Sequence, residues 1–262
     1  MRNLFCRSPS SDAYDNLALD EHLLNIAQPG ELYLYLYVNA KAVILGRNQN
    51  PWKECDLEAM RQDGVQLVRR LSGGGAVYHD RGNLNFSFIS GAGRGDEAAQ
   101  NALLLAALQD FGLAAEFTGR NDFCTPDGRK FSGTAYCNRG DRRLRHGTLL
   151  IDANLGDVQK YLTPRSDKLA AHGVDSVRGR VCNLRELRPG LTVEDMAAAL
   201  FRRFGADETV TPSGRDIAEV AGLRAKNASE TWIFGATPKF DTDAMDPDIL
   251  LCHSERGAES VP

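Results

Sequence analysis

The segment RRLSGGGAVYHDRGN, Arg69 to Asn83, holds three consecutive glycines between an arginine pair and a histidine. Without side chains, Gly73, Gly74 and Gly75 let the backbone approach a ligand and turn successive N–H groups into one concavity, a nest for an anion. Arg69 or Arg70 adds a charged fork for a phosphate or a carboxylate. No Gly-Lys-Ser/Thr follows, so this is not a Walker loop, and the spacing is not GxGxxG. The triplet alone is equally a bent hairpin corner; a mere corner needs neither the arginines nor His79 and Asn83. A second group, GRNDF…GRKFSGTAY from Gly119 to Tyr136, puts Lys130 at the head of an alternating strand. If Lys130 points inward, its ammonium beside the nest screens two anions as a carboxylate attacks a phosphate, which is what carboxylate activation requires. Pointing outward, it is a solvated edge residue. Asn121 and Asp122 are candidates to hold Mg²⁺ on phosphate oxygens, or form an ordinary turn. His79 and His146 have the chemistry of general bases, with a structural role as the alternative for each.

The elements that must position these residues follow from periodicity. Asp15 to Ile26 has the spacing of a helix with one buried face. Glu31 to Val38 alternates leucines with Tyr33, Tyr35 and Tyr37, as a strand does, and Ala42 to Leu45 and Val65 to Val68 are two more strands. Asn85 to Ile89, Lys130 to Tyr136 and Arg145 to Ile151 read as strands, and Leu57–Gln62, Ala98–Phe111, Val158–Leu162 and Val193–Phe204 as helices. Strands come in adjacent pairs as well as with helices between them. The fold class is therefore α+β, a mixed or antiparallel sheet flanked by helices.

The whole chain narrows the field of functions. It has 262 residues, 42% hydrophobic and 25% charged, the composition of a globular domain able to enclose a ligand site. The net charge of −4 argues against nucleic-acid binding through bulk charge. No stretch approaches the length of a membrane span or a secretory signal. The six cysteines are scattered without a CxxC pair, so neither a zinc site nor a disulfide framework is expected, and the expected address is cytoplasmic. From Ala236 the pattern fails; residues 1–235 are expected to form the domain and 236–262 an irregular tail.

Together with GRNQNPWKEC (Gly46 to Cys55) and HGTLLID (His146 to Asp152), these segments closely resemble the lipoate–protein ligases. SVRGRVCNLRELRPGLT (Ser176 to Thr192) is similar to a later block of that family, and the likeness runs from about Asp12 to Gly235. The resemblance implies a fold related to the catalytic domains of biotin ligases and class II aminoacyl-tRNA synthetases. It implies two half-reactions: lipoate and Mg·ATP give lipoyl-AMP, and the acyl group then passes to a lysine of a lipoyl domain. The implied acceptors are acyltransferase subunits of 2-oxoacid dehydrogenases and the glycine-cleavage H protein. Arg70, Gly75, Ala76, Val77 and Tyr78 match ATP-contacting positions, and Lys130 matches the lysine that touches the phosphate and the acyl carbonyl. Ser72, Gly73, Gly74, His79, Asn83, Asn121 and His146 complete the expected ATP/lipoyl-AMP site, with Asp122 for the metal. The chain departs from the family in a shorter stretch between Asn121 and Lys130 and in a tail too short for the accessory C-terminal domain of related bacterial ligases. The latter suggests a bipartite ligase with an accessory subunit, or an enzyme that mainly transfers preformed lipoyl-AMP. Rival readings are an octanoyltransferase with Cys124 as thioester nucleophile and a non-catalytic binder of lipoate or lipoyl domains; the basic loop of a biotin ligase is absent.

Overall fold

A computed structural model describes residues 2–92, 95–118, 121–162 and 181–235. In chain order the strands are β1 (Arg2–Arg7), β2 (Glu31–Tyr37), β3 (Ala42–Leu45), β4 (Gln66–Arg69), β5 (Val77–His79) and β6 (Asn83–Ser90). They continue as β7 (Glu116–Thr118), β8 (Asp122–Cys124), β9 (Lys130–Arg139), β10 (Arg142–Leu150) and β11 (Glu208–Thr209). Eight of them form one sheet in the order β11-β1-β2-β6-β10-β9-β8-β7, and β4-β3-β5 form a second. The sheets are mixed, as expected: β1 is parallel to β2 and β11, while β2, β6, β10 and β9 pair antiparallel.

The alternation in β2 decides how the large sheet is used. Leu34 and Leu36 lie opposite Phe88 and Phe86, whereas Tyr35 and Tyr37 lie opposite Ser87 and Asn85. Because side chains alternate faces along a strand, one face of the sheet is apolar and the other polar. The apolar face packs on α4 (Glu97–Gln109) and the amphipathic helix Val193–Phe204, burying Leu104, Leu108, Met196 and Leu200. Each such side chain contributes about 1.5–3 kcal/mol relative to its exposed state. The second of these helices is bounded as its sequence dictates, with a Thr192–Asp195 capping box and Gly205 at φ 60°.

The polar face is covered by α1 (Ala13–Ile26) and the small sheet. α1 starts two residues before the expected Asp15, because Asp12 caps it through the N–H groups of Tyr14 and Asp15. Its buried side carries Leu17, Leu23 and Leu24 but also Asn16 and Asp20. The sequence reading missed β1, β7, β8, β11 and the helix Arg215–Ala228, the last of which lies on α1. That docking is largely ionic: Arg224 pairs with Asp12 (3.1 Å) and Asp15 (2.7 Å), and Lys226 pairs with buried Glu21. His22, 1% exposed, faces Asp216 (3.2 Å) and Glu219 (3.4 Å). A final turn, Glu230–Ile233, returns the chain to the end of β4. Among the described residues no helix is long and apolar enough to cross a membrane. The expected tail, 236–262, lies outside the described residues, as does the start of the Ser176–Thr192 block.

Candidate active site

The polar face is ordered in rows across the sheet. Tyr35, Ser87, His146 and Ala135 form one row; Tyr37, Asn85 and Thr148 form the next, where Gly133 donates its N–H to Thr148 Oγ1 (3.4 Å). Over the first row lies a buried chain of hydrogen bonds. Asp20 Oδ2 meets His146 Nδ1 at 2.9 Å, His146 Nε2 meets Ser72 Oγ at 2.6 Å, and Arg70 Nε donates to Ser72 Oγ at 3.0 Å. With the Nδ1 proton held by the carboxylate, Nε2 accepts from the serine. The order Asp–His–Ser is that of a hydrolytic triad. Ser72, however, is 1% exposed and already accepts an arginine N–H, which makes it a fixed hydroxyl rather than a free nucleophile.

The arginine pair does not present a charged fork to solvent. Arg70 gives Nη1 to Ile44 O (3.1 Å) and Nη2 to the carbonyls of Gly73 (2.6 Å) and Gly75 (2.8 Å). Burial lowers its pKa to about 10, so it stays charged at neutral pH. Its work is to turn the carbonyls of the glycine segment inward. The N–H groups of Gly73, Gly74, Gly75 and Ala76 then form no hydrogen bond with the described residues, and the three glycines are exposed. Gly74 sits at φ 91°, open to glycine and strained for any other residue. The amides are left open in the arrangement expected of an anion nest, with the arginine behind them instead of in front.

His79 is 4% exposed; its Nδ1 contacts Asn39 Nδ2 (3.0 Å) and its Nε2 finds no partner among the described residues. Burial, with the charge of Arg70 adding, lowers its pKa to about 3 and keeps it neutral. Asp20 Oδ1 and Asn83 Oδ1 are also buried without a hydrogen-bond partner among the described residues, so the layer between the sheets is under-satisfied there. A void of about 10 Å³ between Asp20, Arg69, Arg70 and His146 has room for one water.

Lys130 stands over the second row. One residue of β8 spans two of β9 here, since Cys124 pairs with Lys130 and Phe123 with Ser132. This bulge re-aims the lysine. Its ammonium returns over Gly133, where an added Cβ would come within 3.1 Å of Nζ. Gly133 and Ala135 share a face, so Lys130 Nζ overlies the polar side of the sheet, about one strand repeat (~7 Å) along from the His146–Ser72 contact. The lysine is neither buried nor solvated and alone: its side chain is 41% exposed and pairs with Asp122 Oδ1 at 2.8 Å. Asn121 O accepts from Thr134 N (2.8 Å), which fixes the start of β8. Among the described residues no group of three or more His, Cys, Asp or Glu side chains could hold a metal. The donor set fits a Mg²⁺ carried by phosphate oxygens, which needs only one or two carboxylates such as Asp122, and no all-protein metal cage.

Most of the expected residues therefore converge: Arg70, Ser72, the glycines, His79 and His146 at one row, and Lys130, Asp122 and Asn121 at the next. Asn83 lies beyond them, donating to Asn85 Oδ1 (3.0 Å). Ala76 and Val77 carry the nest into β5. The Tyr78 side chain turns away, its hydroxyl donating to Asp157 (3.1 Å) and its ring beside Tyr161, so only its backbone faces the site. Sequence reading missed Asp20 and Asn39, which look like ordinary helix and loop residues until the sheet brings them to His146 and His79. It also missed Cys182, whose N–H donates to Lys130 O (3.0 Å). Cys182 is buried and burial raises its thiol pKa. Cys124, across the ladder from Lys130, accepts a hydrogen bond from Thr118 Oγ1 (3.3 Å).

Residues 12–205 match the lipoyl protein ligase A/B catalytic domain. The fold is similar to that of P. falciparum LipL1 in complex with lipoate, at 31% identity over 91% of this chain and 76% of that one, with a TM-score of 0.78. It is similar to a bipartite lipoate protein ligase from Thermoplasma acidophilum, solved in work that includes its E2 lipoyl domain (29% identity, 91% and 98% covered, TM-score 0.79). A lipoate-protein ligase A bound with ATP matches at 27% identity over 90% of this chain and 98% of that one, TM-score 0.75. With residues 12–205 of its 262 matched by the family's model, this chain belongs to the lipoyl protein ligase A/B catalytic domain family.

Proposed function

We propose that this site activates lipoate with ATP as lipoyl-AMP and passes the lipoyl group to a lysine of a lipoyl domain. The observation that carries this reading is the pairing of two features on one polar face: unbonded amides at 73–76 and the re-aimed ammonium of Lys130. The nest amides hold phosphate oxygens of the nucleotide. Lys130 lies between the incoming carboxylate and the phosphorus it attacks, neutralising charge as it gathers there. Asp122 holds the lysine in place beforehand and, with Asn121, is the group to meet Mg²⁺, which screens the phosphates when bound. His146 and Asp20 keep Ser72 fixed at the entrance to the nest. That relatives have been solved with lipoate and with ATP supports the choice of substrates.

Acceptors of the transferred group, on this reading, are the lipoyl domains of 2-oxoacid dehydrogenases and the glycine-cleavage H protein. An accessory subunit assists adenylation, as the bipartite nature of the Thermoplasma acidophilum ligase suggests by analogy. The test is incubation of this chain with lipoate, Mg·ATP and an apo lipoyl domain, with pyrophosphate exchange measured in parallel. Exchange and lipoylation are expected once an accessory chain is supplied; full turnover by the chain alone would remove the accessory subunit, and no exchange even with one supplied would leave a passive binder.

A second reading has one observation in its favour, the position of Cys124 across from Lys130. An octanoyltransferase would carry its acyl group on that thiol and need no ATP. Cys124→Ser separates the two: the ligase keeps its activity, whereas the thioester enzyme loses it.

A further inference from the structure

Arg69 is 1% exposed and joins three stretches of chain that are far apart in sequence. Its Nη1 donates to the carbonyls of Gly46 (3.1 Å), Arg47 (2.9 Å) and Gln49 (2.8 Å). Its Nε donates to Ile233 O (2.9 Å) and Trp232 O (3.2 Å), and its Nη2 also reaches Ile233 O. Trp232 answers by donating Nε1 to Arg69 O at 2.9 Å. A planar guanidinium can serve two sets of carbonyls in divergent directions at once; an ammonium on a flexible stem cannot.

The loop so held is the floor of the nest. Arg47 N donates to Ser72 O (2.8 Å), and Arg70 N donates to Leu45 O (2.9 Å). Gly46 approaches the Gly74 carbonyl so closely that a Cβ on it would lie 1.9 Å from that oxygen. The contacts thus run without a break from the 232–233 turn, through Arg69, to loop 46–49, and from there to Ser72 and Gly74. Displacing the turn removes the Trp232 and Ile233 carbonyls from Nε and Nη2 and frees the loop on which the nest rests.

We infer that Arg69 is a positioning residue for the nest and that the turn at 230–235 is a latch for it, although neither touches the ligand. The latch keeps the amides of 73–76 preorganised, so that ordering them is not charged against anion binding. The consequence for ATP rests on the adenylation reading above; the ordering of the nest does not.

Two variants test it. Trp232→Phe removes one hydrogen bond and keeps an aromatic ring, and Arg69→Lys keeps the charge and loses the fork. Hydrogen exchange is measured on the protein without ligand, and KM for ATP and kcat are measured with lipoate. Exchange at the hydrogen-bonded amides of Gly46, Arg47 and Gln49 is expected to quicken about fivefold in Trp232→Phe, the factor an ordinary hydrogen bond is worth. In Arg69→Lys it should exceed tenfold, while amides of β6 and β10 keep their protection. KM for ATP should rise by similar factors, with kcat within about twofold, because the lost contacts order a binding site rather than a transition state. Unchanged exchange at Gly46, Arg47 and Gln49 in the milder variant overturns the latch. So does an equal loss of protection across the whole sheet, which would mark a merely structural arginine. If the wild type neither binds nor turns over ATP, the adenylation reading fails, and the exchange data still decide the latch.

Discussion

At the scale of single residues, the site depends on two glycines for opposite reasons. Gly133 leaves room for the Lys130 ammonium above the sheet, and Gly46 leaves room for the Gly74 carbonyl beneath the nest. Lys130→Ala removes the cation that lies over Gly133 and is expected to lower the rate of lipoyl-AMP formation by about 10²–10³, the usual loss for a donor aimed at developing charge. Pyrophosphate exchange with lipoate measures it, and substrate affinity should change far less. Gly46→Ala sets a methyl 1.9 Å from the Gly74 carbonyl oxygen, so the glycine segment must shift to admit it. Its expected result is at least a tenfold weaker affinity for ATP, read by equilibrium binding, in a protein that remains folded.

At the scale of elements, α1, β2, β6, β9 and β10 were legible because their periodicity is strong, whereas β8, which carries Asp122, is too short to show one. The leucine–tyrosine alternation of β2 foretold the two faces, and Lys130 at the head of β9 was found as the start of an alternating run. What periodicity could not reveal was the bulge that turns Lys130 over the sheet, since a one-residue offset between β8 and β9 leaves no mark in either strand. Nor could it reveal that Arg69 and Arg70 face carbonyls: an arginine pair before glycines looks the same whether it binds a phosphate or its own backbone. The 215–228 helix escaped notice because it attaches through charge, with only Val220 partly packed on the core beneath it. That mode of attachment has a measurable result. Exposed ion pairs are screened by salt, so raising NaCl to about 0.5 M should quicken hydrogen exchange in 215–228 while leaving β6 and β10 unaffected. Equal protection at both salt concentrations would mean that the helix is held by packing.

For the molecule as a whole, the layer between the two sheets sets the response to acid. His79 has an ordinary pKa of 6.5 and a folded value of about 3. Above pH 6.5 neither state binds the proton, and the histidine costs nothing. As pH falls from there toward 3, the unfolded chain takes up a proton that the folded chain refuses. Stability therefore drops by up to about 1.4 kcal/mol per pH unit from this group alone. Urea unfolding of His79→Gln and wild type between pH 7 and pH 4 should show a shallower loss in the variant; parallel curves would mean that His79 charges freely in the folded state. The parallel pairing of β1 with β11 carries a different consequence, concerning synthesis. Leu4 lies beside Glu208, and Asp12 is tied to Arg224, so the first strand and the first helix acquire these partners only after some two hundred further residues exist. The latch on Arg69 comes later still, at Trp232 and Ile233. On the ribosome, then, the nest is translated early and secured last, and a chain still being made can complete its sheet before it has a finished binding site.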